Sequence, residues 1–127
     1  MNEAQDTPSL IKPRFKKLHI DEIPEGGAIG VEFWRGEQCD ELVRVIICKE
    51  ESKVYAWVNR CPHAGWPLEN IDGNFLFTEA GDIICSGHGA VFGVTDGRCW
   101  GGPGRGLPLS AFPFRQVGDN IVIGEVD

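Results

Sequence analysis

NRCPHAGWPLEN, residues 59–70, places a thiol and an imidazole one residue apart, Cys61 and His63. They stand between an apolar run and a turn rich in Gly and Pro. A second stretch, ICSGHGAVFG at residues 84–93, repeats the pairing with Cys85 and His88. The shared pattern is C-x-H, then 21 intervening residues, then C-x-x-H. Cysteine is the softest ligand a chain owns and histidine its best nitrogen ligand. Two of each, on two short loops, point to a metal.

Two metal readings fit four such side chains. A structural zinc takes all four in one tetrahedron. A 2Fe-2S cluster needs two ligands per iron, and two His can replace two Cys on one iron. Ligand order discriminates. Zinc fingers usually offer a Cys pair and then a His pair, whereas each loop here offers one of each. Two such loops, face to face, can each give one ligand to each iron, with Cys61 and Cys85 on the inner iron and His63 and His88 on the outer. GGPGRG, residues 101–106, has almost no side-chain bulk and reads as a third loop closing over a buried site.

Working outward, the apolar period is two rather than 3.6. RFKKLHI (14–20) puts Leu18 and Ile20 on one face, and AIGVEFW (28–34) alternates Ile29, Val31 and Phe33. LVRVIIC (42–48) and VYAWVN (54–59) are β-branched and aromatic, with KEESK between them as a hairpin turn. Further turns are expected at PEGG (24–27), RGEQCDE (35–41), residues 79–82 and Thr95-Asp96-Gly97, and LPLSAFPFRQVGDNIVIGEV (107–126) is expected to form two final strands around VGDN (117–120). No window of helical length is amphipathic. The pattern predicts an all-β sandwich or barrel.

At 127 residues the chain reads as one domain, residues 14–127, behind a flexible arm over 1–13 that carries Pro8 and Pro13. Gly 17 and Pro 8 are spread along the chain, as many turns require. The net charge of −7 argues against nucleic acid and suits docking on a basic protein surface. Five cysteines without a C-x-x-C or a secretory leader argue for thiols or metal ligands over a disulfide framework. No apolar run approaches a membrane span, so a cytoplasmic location without a membrane partner is expected.

CPHAGWPL (61–68), ICSGHGAVF (84–92), DGRCWGGPG (96–104) and LPL (107–109) together resemble the Rieske 2Fe-2S domain. The resemblance implies an antiparallel β-sandwich of three sheets with a small inserted cluster-binding subdomain, about residues 60–106. It implies one 2Fe-2S cluster ligated by Cys61, His63, Cys85 and His88, with Gly102-Pro103 in the covering loop. The departures are informative. Trp66 and Gly87 stand where respiratory and photosynthetic members carry a disulfide, and Ala90 and Phe92 where those members place hydroxyls. Without those donors the potential is expected near the low end of the Rieske range, about −150 mV. The spacing between loops resembles a slightly lengthened soluble ferredoxin, with the insertion in NIDGNFLF (70–77) or TEAGD (78–82).

Cys99, beside the third loop, reads as a small buried hydrophobe. Cys39 and Cys48 read as structural or incidental, and His19 as a surface or core-edge residue. Packing is the default role for Trp66, Trp100 and Phe92. A catalytic mononuclear iron would need two further His and a carboxylate, and only one His is unassigned. GGPGRG opens no helix and so meets no dinucleotide pattern. The expected role is a non-catalytic carrier passing electrons from a reductase to an oxygenase or similar terminal enzyme, with no small-molecule substrate. The alternatives are a Rieske subunit or redox-sensing module of a larger oxidoreductase, or a structural zinc domain.

Overall fold

The computed structural model describes residues 13–62, 65–87, 89–102 and 107–124. The expected arm therefore lies almost wholly outside the described residues. Among the described residues ten strands form three antiparallel sheets, all-β as the pattern predicts and three in number as the resemblance implies. The first sheet has the order β1 (Phe15–His19), β10 (Asn120–Gly124), β9 (Arg115–Val117). The second runs β2 (Ala28–Arg35), β3 (Glu41–Glu50), β4 (Lys53–Val58). The third runs β5 (Leu76–Phe77), β6 (Ile83–Ile84), β7 (Val91–Phe92), β8 (Cys99–Gly101). Among the described residues no helix is long and apolar enough to cross a membrane.

β3 explains the layering. Its side chains point alternately to two faces, and both faces are covered. Val43, Val45 and Ile47 enter one core with Leu18, Phe33 and Ile121. Ile46 and Cys48 enter the other with Trp57, Leu68 and Phe92. A strand buried on both sides needs a nearly continuous apolar run, which LVRVIIC supplies. The second core also contains Cys61 and Cys85. The middle sheet thus separates a purely structural core from the one under the two Cys-His loops.

The turns follow local chemistry. Glu50 pairs with Lys53, leaving a two-residue turn of Glu51 and Ser52, both at positive φ (53° and 65°). That backbone matches the right-handed twist of the flanking strands. The Glu25 carboxylate accepts both turn amides, from Glu51 at 2.6 Å and Ser52 at 3.2 Å. Gly97, φ +71°, closes the β7–β8 turn by donating to the Gly93 carbonyl at 2.8 Å. Val117 pairs with Asn120 around Gly118-Asp119, as VGDN suggests.

Two local readings change. Ile20 does not continue β1, because His19 caps a short 3-10 turn, Ile20–Glu22. The His19 Nδ1 accepts the Asp21 amide at 3.1 Å, and the Glu22 carboxylate accepts the His19 amide at 2.8 Å. Ile23, fully buried, takes the inward place instead. LPLSAF is not a strand. It runs along β4 through a bridge between Trp57 and Ala111, with the Val58 amide on Ser110 and the Phe112 amide on Ala56.

Candidate metal-cluster site

Cys61 and Cys85 open turns of one construction. The Cys61 amide donates to the Trp66 carbonyl at 2.7 Å, and the Gly65 amide to the Cys61 carbonyl at 2.8 Å. The Cys85 amide donates to the Ala90 carbonyl at 2.8 Å, and the Gly89 amide to the Cys85 carbonyl at 2.8 Å. In each turn the fourth residue after Cys is a glycine, at φ +75° and +76°. A side chain at that φ is strained, so the two glycines belong to the pattern as much as the thiols do. Both cysteines are at 0 % exposure in the same core.

The two turns are tied to each other. The Ser86 amide donates to the Leu68 carbonyl at 3.1 Å and its hydroxyl to the Glu69 carbonyl at 2.9 Å. The first turn is also tied to the middle sheet through Asn59, at 7 % exposure the one buried polar residue among those described. Its Oδ1 accepts the Leu68 amide at 2.9 Å and its Nδ2 donates to Glu69 Oε1 at 2.8 Å. Arg44 Nη2 donates to Glu69 Oε2 at 2.5 Å, and Arg44 Nε to Glu32 at 2.9 Å. Burial raises the Glu69 pKa. The hydrogen bonds from Asn59 and its own backbone, with Arg44 beside it, outweigh that and hold the carboxyl below its usual range.

The third loop begins against the second turn. A Cβ on Gly102 would lie 2.6 Å from Ala90 Cα and from the Gly89 carbonyl oxygen. Only a residue without a side chain fits there. The rest of GGPGRG, residues 103–106, lies outside the described residues, and so do His63 and His88. Among the described residues no three or more His, Cys, Asp and Glu side chains gather as a metal site. The structure thus brings the two cysteines into one core on matched turns.

Other readings are sharpened. Phe92 is fully buried and packs as expected, but Trp66 and Trp100 are 60 % and 55 % exposed. Their packing role fails because Trp66 lies on the outside of the first turn and Trp100 on β8, where Arg98 stacks 5.1 Å from its ring centroid. Cys99 is only half-buried, its Sγ donating to the Gly101 carbonyl at 3.4 Å. Cys48 is buried, and Cys39 accepts Arg14 Nη1 at 2.7 Å. Residues 70–75 fold over β2: Phe75 Cζ lies 3.5 Å from where a Gly30 Cβ would be, and Asn70 Oδ1 accepts the Asp72 and Asn74 amides at 2.9 Å. Sequence reasoning missed Asn59 and Glu69, although both lie within the opening stretch.

An all-β domain with two matched cysteine turns over one core defines the class. The match to the Rieske [2Fe-2S] domain family covers residues 14–113, and the chain belongs to that family. The family implies a Rieske-type 2Fe-2S cluster as cofactor. The site fits it. Two buried thiols suit soft iron–sulfur chemistry, and Gly102 leaves the backbone close to the second turn. No curated protein matches the sequence.

Solved structures share the fold. The ferredoxin of carbazole 1,9a-dioxygenase from Nocardioides aromaticivorans IC177 matches with TM-score 0.59 at 21% identity, covering 90% of this chain and 95% of that one. The terminal oxygenases of carbazole 1,9a-dioxygenase from the same organism and from Novosphingobium sp. KA1 match with TM-score 0.65 at 20% and 17% identity, covering 91% of this chain. This chain spans 31% of each oxygenase chain. At such identities the likeness is one of fold.

Proposed function

We propose that this chain is a one-electron carrier that takes electrons from a reductase and passes them to an oxygenase or similar terminal enzyme. The observation that carries the reading is the pair of matched, buried cysteine turns locked to each other through Ser86. Cys61 and Cys85 would hold one iron, and His63 and His88 the other. The bound cluster supplies a one-electron redox couple. The chain's own residues wrap it. Leu68, Phe92 and the sheet core exclude water from below, and Gly102 admits the third loop.

Trp66, Trp100 and Leu107, 60 %, 55 % and 51 % exposed, stand beside the ligand loops in the chain and give apolar surface for a protein partner. The net charge of −7 favours a partner with a basic face. The fold shared with nearly the whole of a dioxygenase ferredoxin supports a carrier. Ala90 and Phe92, both fully buried, offer no hydroxyl to the site. The potential belongs near the low end of the Rieske range, about −150 mV.

Anaerobic reduction of the purified protein followed by EPR tests this. The expected result is a red-brown protein whose reduced form has an average g below the free-electron value and returns one electron per chain to ferricyanide. A colourless protein with one zinc per chain would overturn it.

A further inference from the structure

The side chains that join the ligand loops to the sheet make no part of the four-residue ligand set. Asn59 stands two residues before Cys61, and Ser86 directly follows Cys85. Between them run Asn59 to Glu69, Asn59 to the Leu68 amide, Ser86 to the Leu68 and Glu69 carbonyls, and Arg44 to Glu69. The Asn59 amide also donates to the Arg44 carbonyl at 2.9 Å, which anchors the clamp on β3. Asn59 and Arg44 join the sheet to the first turn, and Ser86 joins the first turn to the second.

We propose that Asn59 and Glu69 are positioning residues that set the separation of the two ligand loops, and so govern retention and electronic symmetry of the cluster without touching it. The inference rests on the ligand assignment proposed above. The physical reason is that Asn59 is buried, so its carboxamide cannot exchange a lost partner for water. A mispaired Asn59 must move, and Leu68 moves with it. Leu68 carries Ser86 through its carbonyl, and Ser86 carries Cys85. A fault at the base of one loop is therefore felt at the thiol of the other.

The polarity of the Asn59–Glu69 contact gives the test. Asn59→Asp replaces the donating Nδ2 by an oxygen, so two carboxylates face each other. Adding Glu69→Gln restores one bond with its direction reversed. Gln Nε2 would donate to the new carboxylate, and Gln Oε1 would accept Arg44. The double variant carries the same net charge as the wild type, so recovery reports geometry and not charge.

Cluster loss in the presence of a chelator is timed from the visible absorbance, and the reduced-state EPR and apo-protein melting are recorded. The expected result is cluster loss faster by about tenfold or more in Asn59→Asp. A changed g anisotropy in the surviving cluster and near-wild-type behaviour in the double variant are also expected. Ser86→Ala, an exposed change that spares the fold, should shift the same readouts in the same direction by less.

Loss rates for Asn59→Asp and Ser86→Ala within about twofold of the wild type would overturn the proposal. So would a lowered apo melting temperature with unchanged EPR, because that is plain structural damage. Should Asn59→Asp not fold, Ser86→Ala and Glu69→Gln decide the outcome by the same readouts. Cys61→Ser and Cys85→Ser separate the two layers of inference. If they retain the intact cluster, the ligand assignment has failed. If they lose it while the clamp variants behave as wild type, only the clamp has.

Discussion

Gly102 shows how much a single residue decides. Its φ is +81°, and any Cβ there would meet the backbone of Gly89 and Ala90 at 2.6 Å. Gly73 is at a similar φ of +84° but has nothing within 4 Å. The pair separates backbone strain from contact. Gly73→Ala should cost about 1–2 kcal/mol through strain alone. Gly102→Ala should cost more and should also lower cluster content, because the third loop must lift off the second turn. Denaturant unfolding and iron analysis of the two variants check this. Cys48 gives a second residue-scale test. Burial, with Glu50 nearby, pushes its thiol up to about 12. Unfolded thiols ionise near 8.5. Above that pH the unfolded chain loses the proton and the folded chain keeps it. Stability should then fall by about 1.4 kcal/mol per pH unit up to roughly pH 12. Cys48→Ala removes the ionisation, so its denaturation midpoint should fall less steeply with alkaline pH than that of the wild type.

At the scale of elements, the β3–β4 hairpin is tighter than its sequence advertises. Glu51 and Ser52 both adopt left-handed backbone, which Asn and Gly tolerate best. The Glu25 carboxylate offsets part of that strain. Ser52→Gly keeps the amide that Glu25 accepts, and it should stabilise the chain by about 1 kcal/mol. A rise in the denaturation midpoint at constant slope is the expected reading, and a fall would mean the strain is absent. Strands and turns were legible because their signals are local. β-branched alternation marked β2 through β4, KEESK marked this hairpin, and the Gly in TDG marked the β7–β8 turn. Ile20 was misplaced because His19 and Glu22 bond to the backbone and end β1, which alternation does not encode. The clamp of Arg44, Asn59, Glu69 and Ser86 was not legible at all. Arg44 and Glu69 are 25 residues apart. They meet only through the register that pairs Val45 with Val58 and through the path of the first turn.

For the whole molecule, the decisive feature is a middle sheet with a core on each side. One core holds the sheets together and the other carries the two cysteine turns. Cys61 and Cys85 were legible as a pair because the motif repeats. Their shared core and identical turn construction became visible only with the strands in place. The exposure of Trp66 and Trp100 likewise depends on which way each loop faces, and an aromatic residue near a motif does not declare that. A rigid β frame that fixes two short loops suits the proposed electron exchange, which calls for little rearrangement. The central claim is that each loop gives one thiolate and one imidazole to a single two-iron cluster. Electron–nuclear double resonance on the reduced protein, grown with isotope-labelled histidine, tests it most directly. Two strongly coupled histidine nitrogens that change with the label are the expected result. A reduced cluster with no histidine nitrogen coupling would contradict the account.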